Sequence, residues 1–106
     1  MKSYNISDMV KGWFIGNFSP TVFGTDTFEV GLKTYKSGDV EQAHFHKIAI
    51  EITLVASGKV IMCNKEWVAG SIIVLSPGEV TDFIALEDTQ TLVIKVPSIA
   101  NDKYIV

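Results

Sequence analysis

Apolar side chains recur at every second position along much of this 106-residue chain, and this period of two limits its possible folds more than any other feature. Phe28, Val30 and Leu32 alternate with Glu29, Gly31 and Lys33, as side chains on a half-buried β-strand do. The pattern returns over residues 92–96, and further apolar segments lie at residues 50–55, 59–63, 71–75 and 81–86. Segments this short predict strands rather than helices.

Turn-forming residues separate most of these segments. Asn64-Lys65 suits a two-residue hairpin loop, and Pro77-Gly78 suits the two central positions of a type II turn. Only Ser7 to Lys11 favours a helical turn, with Ser7 as its N-cap. Many short strands at near-even spacing predict an all-β fold, a single antiparallel barrel or sandwich. The chain length predicts one domain over residues 1–106.

Several of the predicted strands are apolar on both faces, as in Ile72 to Leu75. Something must therefore cover the second face. A homodimer that packs a sheet against its mate would do so, and a closed two-sheet core is the alternative. We expect a homodimer.

Composition limits the partners and the compartment. The net charge of -3, with no charged block, makes nucleic acid an unexpected partner. All nine basic residues are lysines, and the lack of the bidentate arginine fork weighs against substrates held by a diphosphate. The lone Cys63 favours a reducing compartment, so we expect the cytoplasm. Residues 1–18 contain no apolar run of signal-peptide or membrane-spanning length, and no membrane association is expected.

The only two histidines stand one residue apart, at His44 and His46, and Glu51 follows five positions later. On an extended strand both imidazoles point the same way, whereas Glu51 returns to their side only if the chain bends or changes strand near residues 47–49. Two imidazoles and a carboxylate form a ligand set for divalent metals, including non-haem Fe(II). We predict that His44, His46 and Glu51 bind iron, manganese, zinc or nickel. The alternative is a pair of partly buried imidazoles that hydrogen-bond in a polar pocket without an ion.

These residues resemble the first signature of the cupins, a family of small β-barrel proteins. That signature runs Gly, five residues, His-x-His, four residues, Glu, six residues, Gly. The chain matches it at every spacing with Gly38, His44, His46, Glu51 and Gly58. The resemblance spans residues 31–96 and implies a jelly-roll barrel whose mouth is lined by the three metal ligands.

The second cupin signature is matched less closely. Gly70 and Gly78 keep its frame, but the proline is displaced to Pro77, and Thr81 stands where the family has a fourth ligand, a histidine. The final asparagine of the signature is replaced by alanine. Thr81 could contribute a hydroxyl or a bound water, and Asp82 could reach the site only if its strand bulged.

The resemblance implies a divalent-metal protein that acts on or binds a small polar molecule, with a carbohydrate as one such molecule. It does not separate isomerase, lyase and dioxygenase chemistry. One alternative is a sugar-binding or small-ligand module without metal or catalysis. The other is a metal-free sugar ketoisomerase, because Lys47 extends the histidine pair to His-Phe-His-Lys, which resembles a stretch of sugar-nucleotide ketoisomerases that use histidine as an acid or base.

Overall fold

A computed structural model describes residues 1–106 and consists almost entirely of two facing β-sheets. The strands are β1 (Trp13–Gly16), β2 (Phe23–Gly24), β3 (Glu29–Tyr35), β4 (Val40–His46), β5 (Ile50–Ser57), β6 (Lys59–Met62), β7 (Lys65–Val68), β8 (Ile72–Leu75), β9 (Thr81–Ala85), β10 (Thr89–Val96) and β11 (Lys103–Ile105). One sheet has the order β2-β1-β3-β10-β5-β8, and the other has the order β11-β4-β9-β6-β7. All neighbouring strands are antiparallel except β1 and β2. The predicted all-β, jelly-roll architecture is confirmed.

The only helical element is a 3-10 turn over Ile6–Asp8, so the prediction of a turn from Ser7 to Lys11 is displaced. Its N-cap is Asn5 rather than Ser7. The Asn5 side chain accepts a hydrogen bond from the Ser7 amide at 3.0 Å, and the Asp8 carboxylate accepts one from the Asn5 amide at 2.9 Å. This reciprocal pair satisfies the free amides at the start of the turn, which Ser7 as N-cap would not do. The chain contains no helix of the length and apolarity needed to cross a bilayer.

One of the two predicted tight turns is displaced by a residue. The loop between β6 and β7 is Cys63-Asn64, and both residues have a positive φ, at 53° and 60°. That conformation matches the twist of a two-residue hairpin and leaves Lys65 free to pair with Met62. The type II turn is confirmed, because Gly78 has φ 88° and the Glu79 amide donates to the Ser76 carbonyl at 3.1 Å.

The barrel core lies between the two sheets. Val55 and Val60 have no exposed surface, and they belong to a cluster of seven buried side chains. Its members are Val55, Val60, Met62, Ile73, Leu75, Phe83 and Ala85. Farther toward the start of β5 the interior becomes polar, because Glu51 and Thr53 face inward on the same side as Val55.

On β3 and β10 the more apolar set of side chains lies on the outer face. Inward-facing positions are held by residues such as Gly31 and Lys33, while Leu32 points out. Eight aliphatic side chains line up across four strands in two rows, and we call this surface the aliphatic face. The first row consists of Val30, Ile94, Ile52 and Val74. The second row consists of Leu32, Leu92, Leu54 and Ile72. The outermost pair, Ile72 and Val74, is 63% and 57% exposed.

The two glycines that bracket the first signature differ in their surroundings. Gly38 and Gly58 have nearly the same left-handed backbone, with φ of 92° and 91°. A Cβ on Gly58 would lie 2.5 Å from the Asp88 carbonyl oxygen, whereas a Cβ on Gly38 would meet nothing within 4 Å. A side chain at either position would meet the same backbone strain, but only at Gly58 would it also clash with neighbouring atoms.

We therefore expect Gly58→Ala to destabilise the protein more than Gly38→Ala. The left-handed backbone alone should cost each variant about 1 to 2 kcal/mol. Gly58→Ala should lose a further 1 to 3 kcal/mol, roughly, because the backbone around Asp88 must shift. Urea unfolding followed by tryptophan fluorescence measures both losses. Equal losses would show that Gly58 is needed only for its backbone conformation.

Candidate functional site

The chain passes from one sheet to the other between His46, which ends β4, and Ile50, which begins β5. This crossing changes which alternate residues face the interior. His44 and His46 point inward from the five-stranded sheet, and Glu51 points inward from the six-stranded sheet. The three residues are buried, with 5%, 5% and 8% of their surface exposed. The strand change predicted near residues 47–49 is confirmed.

The crossing is held by the buried carboxylate of Asp102. It accepts hydrogen bonds from the backbone amides of Lys47 at 3.0 Å, Ile48 at 3.2 Å and Ala49 at 2.9 Å. Burial raises the pKa of Asp102, but these three donors outweigh it and hold the pKa below its ordinary value. Asp102 is therefore ionised at neutral pH. Sequence reasoning missed this residue because it lies 53 to 55 positions from the amides it binds and belongs to no local motif.

Both imidazoles are fixed by backbone carbonyls. Nδ1 of His44 lies 2.8 Å from the Gln42 carbonyl oxygen, and Nδ1 of His46 lies 2.8 Å from the Asp102 carbonyl oxygen. A carbonyl only accepts, so each Nδ1 carries the hydrogen. In the neutral rings this leaves a free lone pair on each Nε2, which is the tautomer that a metal ligand requires.

The inward-facing atoms of His44, His46 and Glu51 converge. One ligand atom from each lies within 4.8 Å of the others. Nε2 of His46 is 3.5 Å from Oε1 of Glu51, and this nitrogen is buried without any hydrogen-bond partner. A buried polar atom without a partner is costly, so the Nε2 atom of His46 is available to a further group in the site.

Glu51 supplies the negative charge of the group. Burial raises the pKa of its carboxyl, but the neighbouring His46 and Lys95, with His44, lower it further than burial raises it. The net pKa lies below the ordinary value, so Glu51 is a carboxylate at neutral pH. Two imidazole nitrogens and one carboxylate form a donor set that fits a divalent transition metal or zinc.

Thr81 occupies the position predicted for it but carries no metal-binding group of comparable strength. It pairs with His44 across the two strands and is 4% exposed. Its hydroxyl donates to the Asp82 carbonyl at 2.7 Å and accepts from the Cys63 thiol at 3.5 Å. Strand β9 alternates regularly, and the one register shift in this pair lies on β4, before His44. The Asp82 side chain therefore stays on the face opposite Thr81.

Lys47, which prompted the comparison with ketoisomerases, lies away from this group. Its side chain is exposed at the crossing, with Nζ 4.3 Å from the ring centroid of Tyr104 on β11. The structure thus brings together the two histidines and Glu51, and places Lys47 elsewhere.

Two cavities border the convergent group. His44 and Glu51 border a cavity of about 290 Å³, and His46 borders another of about 410 Å³. Lys95 and Lys103 line both. These volumes suit a small molecule.

A second polar pair lies on the first of these cavities. The Tyr35 hydroxyl donates to the Glu41 carboxylate at 2.9 Å. Burial raises the pKa of Tyr35, and the charge of Glu41 raises it further, so the hydroxyl stays protonated at neutral pH. Both side chains line the cavity that His44 and Glu51 border.

The chain matches no protein-family model and no curated protein. Solved structures do resemble it. KdgF from Halomonas sp. superposes with a TM-score of 0.66 at 20% identity, over 73% of this chain and 74% of its own. A protein with a double-stranded β-helix domain from Klebsiella pneumoniae superposes with a TM-score of 0.68 at 21% identity, over 80% of this chain and 79% of its own. A structure from Silicibacter pomeroyi that is named a sugar phosphate isomerase from a cupin superfamily superposes with a TM-score of 0.62 at 19% identity, over 66% of this chain and 50% of its own.

Replacing Asp102 by asparagine should destabilise the crossing. An amide has one oxygen where the carboxylate has two, so at least one backbone amide of residues 47–49 would face an NH₂ group. We expect a loss of roughly 1 to 3 kcal/mol in the free energy of unfolding. The matched control is Asp39→Asn, because the Asp39 carboxylate accepts from one exposed amide, that of Lys36. Equal effects in chemical denaturation would contradict the role given to Asp102.

Proposed function

Because this chain has the cupin fold, we propose that His44, His46 and Glu51 bind a divalent metal ion and that the protein acts on a small polar molecule at the barrel mouth. The observation that carries the proposal is the buried Nε2 of His46, which has no partner and faces the Glu51 carboxylate. The carbonyls on both Nδ1 atoms support it, because they orient the free lone pairs inward. Iron, manganese, zinc and nickel are all compatible with this donor set.

A divalent ion in this position supplies Lewis-acid chemistry, polarising a carbonyl or hydroxyl of the substrate. The residues of the chain provide the rest. Glu51 offsets the positive charge, and the burial of His44 and His46 limits the access of water. The Tyr35 hydroxyl and the Glu41 carboxylate, which hydrogen-bond to each other, line the same cavity and can hydrogen-bond a polar substrate.

The substrate class that we propose is a small polar molecule related to carbohydrates. A similar structure is named a sugar phosphate isomerase, which supports this choice. The cavities are of the size that a monosaccharide requires, and their linings are rich in polar and charged groups. The competing functions are a metal-free binding module and a metal-free acid–base enzyme, and metal content separates them from the proposal.

The first test is metal binding by the purified protein. After chelation and reloading with one ion at a time, the parent should hold one ion per chain by elemental analysis. At about 100 times the dissociation constant, the ion should add roughly 2.7 kcal/mol to the free energy of unfolding. Removing a group that only hydrogen-bonds a metal ligand weakens metal affinity roughly 10 to 100-fold. His44→Ala and His46→Ala remove the ligands themselves, so we expect each to weaken metal affinity by more than that.

Glu51→Gln and Glu41→Gln make a matched pair for this test. Both remove one carboxylate charge from the same cavity, but only Glu51 belongs to the convergent group. We expect Glu51→Gln to lose the ion and Glu41→Gln to keep it. A metal-free parent whose stability no divalent ion changes, yet which binds a sugar, would replace the proposal with one of the metal-free functions.

We further propose that the chain forms a homodimer through the aliphatic face. Ile72 and Val74 are exposed at the β8 edge of this face, beside its six half-buried members, and exposed apolar patches of this kind are typical of interfaces. We also propose a reducing compartment such as the cytoplasm, because the single cysteine, Cys63, carries a free and exposed thiol.

Val74→Lys should therefore weaken self-association. Val74 is 57% exposed on the aliphatic face, and Val40, which is 68% exposed on the other sheet, provides the control substitution Val40→Lys. Burying an unpaired ammonium in the interface should raise the dimer dissociation constant at least about tenfold. Light scattering over a dilution series measures it. A monomeric parent, or equal weakening by Val40→Lys, would contradict this interface.

A further inference from the structure

Positive charge is concentrated on the cavity that His44 and Glu51 border. Four lysines line it, and we call them the lysine mouth: Lys11, Lys33, Lys95 and Lys103. Only two carboxylates, Glu41 and Glu51, share that lining. The cavity therefore carries a surplus of two positive charges in a chain whose net charge is -3. This positive surplus is local, because the residues outside the cavity together carry a net negative charge.

Strand register places two of these lysines beside the convergent group. Lys95 pairs with Glu51 across β10 and β5, so both side chains lie on the same inner face. Lys103 pairs with His46 across β11 and β4, so its side chain lies beside that imidazole. The ammonium groups thus come from both sheets to one opening.

Trp13 contacts two of the ammonium groups. Its indole lies on Gly31, where a Cβ would come within 2.7 Å of a ring carbon, so only glycine leaves room for the ring. Nζ of Lys33 lies 5.3 Å from the ring centroid, and Nζ of Lys95 lies 5.1 Å from it. The ring attracts both cations electrostatically and holds them at the cavity wall.

The crowding of like charges has a cost at Lys33. Burial lowers the pKa of Lys33, Glu41 raises it, and Lys11, Lys95 and Lys103 lower it further, so that the net pKa lies below the ordinary value. Nζ of Lys33 donates to the Lys11 carbonyl at 2.8 Å, which leaves two of its hydrogens for other acceptors. A negatively charged ligand would relieve this repulsion, whereas a neutral ligand would not.

We propose that the lysine mouth selects a small organic anion, whose charged group lies between Lys33 and Lys95 while the rest of the molecule extends toward His44 and Glu51. This inference rests on the proposed function and names its substrate class. Lysine offers a point charge rather than a planar fork, so it suits a single carboxylate or phosphate group. The lack of arginine therefore disfavours diphosphates, which bind best to a bidentate fork. It does not disfavour a substrate with a single anionic group, which lysine can bind.

The test compares molecules that differ in one group. D-glucose, D-glucuronate and D-glucose 6-phosphate are titrated calorimetrically into the parent at low salt, with malonate and inorganic phosphate as simple anions. We expect at least one of the anions to bind 10-fold or more tightly than glucose, and to weaken as salt is added. A preference for the carboxylates identifies the group as a carboxylate, and a preference for the phosphates identifies it as a phosphate. If no anion binds more tightly than glucose, the inference is overturned.

Lysine variants locate the effect. Lys33→Met, which keeps the apolar stem, and Lys95→Gln should each weaken the preferred anion about 10-fold and weaken glucose by a smaller factor. Lys65→Gln removes the same charge from an exposed position on β7 and should change nothing. Thermal melting confirms that each variant is folded. Equal weakening by Lys65→Gln would mean that net charge, rather than the lysine mouth, attracts the anion.

Metal analysis of the same samples separates this inference from the proposed function. A protein that holds an ion but shows no anion preference contradicts the lysine mouth alone. A protein that holds no ion but still prefers the anion, with losses at Lys33 and Lys95, contradicts the metal site alone.

Discussion

The crossing between the two sheets at residues 47–49 is the constraint on which the rest of the site depends. The buried Asp102 carboxylate collects three backbone amides there, and its own carbonyl fixes the His46 ring. One residue therefore determines both where β5 begins and which nitrogen of His46 faces the interior. The position of Glu51 follows, because side chains alternate along β5 from the point at which that strand starts. A crossing one residue longer or shorter would turn Glu51 toward the outside.

The barrel distributes polar and apolar groups in an unusual way. One part of the interior is a conventional core around Val55 and Val60, whereas the part near the crossing is lined by ionisable side chains. On the strands that line this polar part, the aliphatic side chains point outward and form the aliphatic face of the six-stranded sheet. The same strands therefore carry the candidate site on one face and the proposed dimer interface on the other, which couples the geometry of the site to the packing of the outer face.

The electrostatic arrangement of the site has two layers. Glu51 and the free Nε2 atoms form an inner group that suits a cation, and the lysine mouth forms an outer group that suits an anion. A substrate that is anionic at one end and carries a metal-binding oxygen at the other would satisfy both layers. The proposed arrangement would orient such a substrate, because reversing the molecule would place its negative charge beside Glu51 instead of beside the ammonium groups.

Local sequence determined a good deal of this protein. Period-two alternation and turn residues predicted the all-β fold, and the resemblance of the stretch from Gly38 to Gly58 to the first cupin signature implied which three side chains would converge. These predictions succeeded because alternation, glycine turns and His-x-His geometry depend on residues a few positions apart. The N-cap at Asn5 and the Cys63-Asn64 loop were displaced because boundaries depend on hydrogen bonds that neighbouring residues can also offer.

Tertiary structure alone decided the support of the site and its charge. Asp102, Trp13 and the lysine mouth come from distant parts of the chain, and no pattern in the sequence relates Asp102 to residue 47 or Lys103 to His46. The choice of which face of β3 and β10 points inward was likewise made by the closure of the barrel. The physical reason is the range of the forces involved: backbone geometry acts between near neighbours in the chain, whereas hydrogen bonds and charges act between whatever groups the fold brings together.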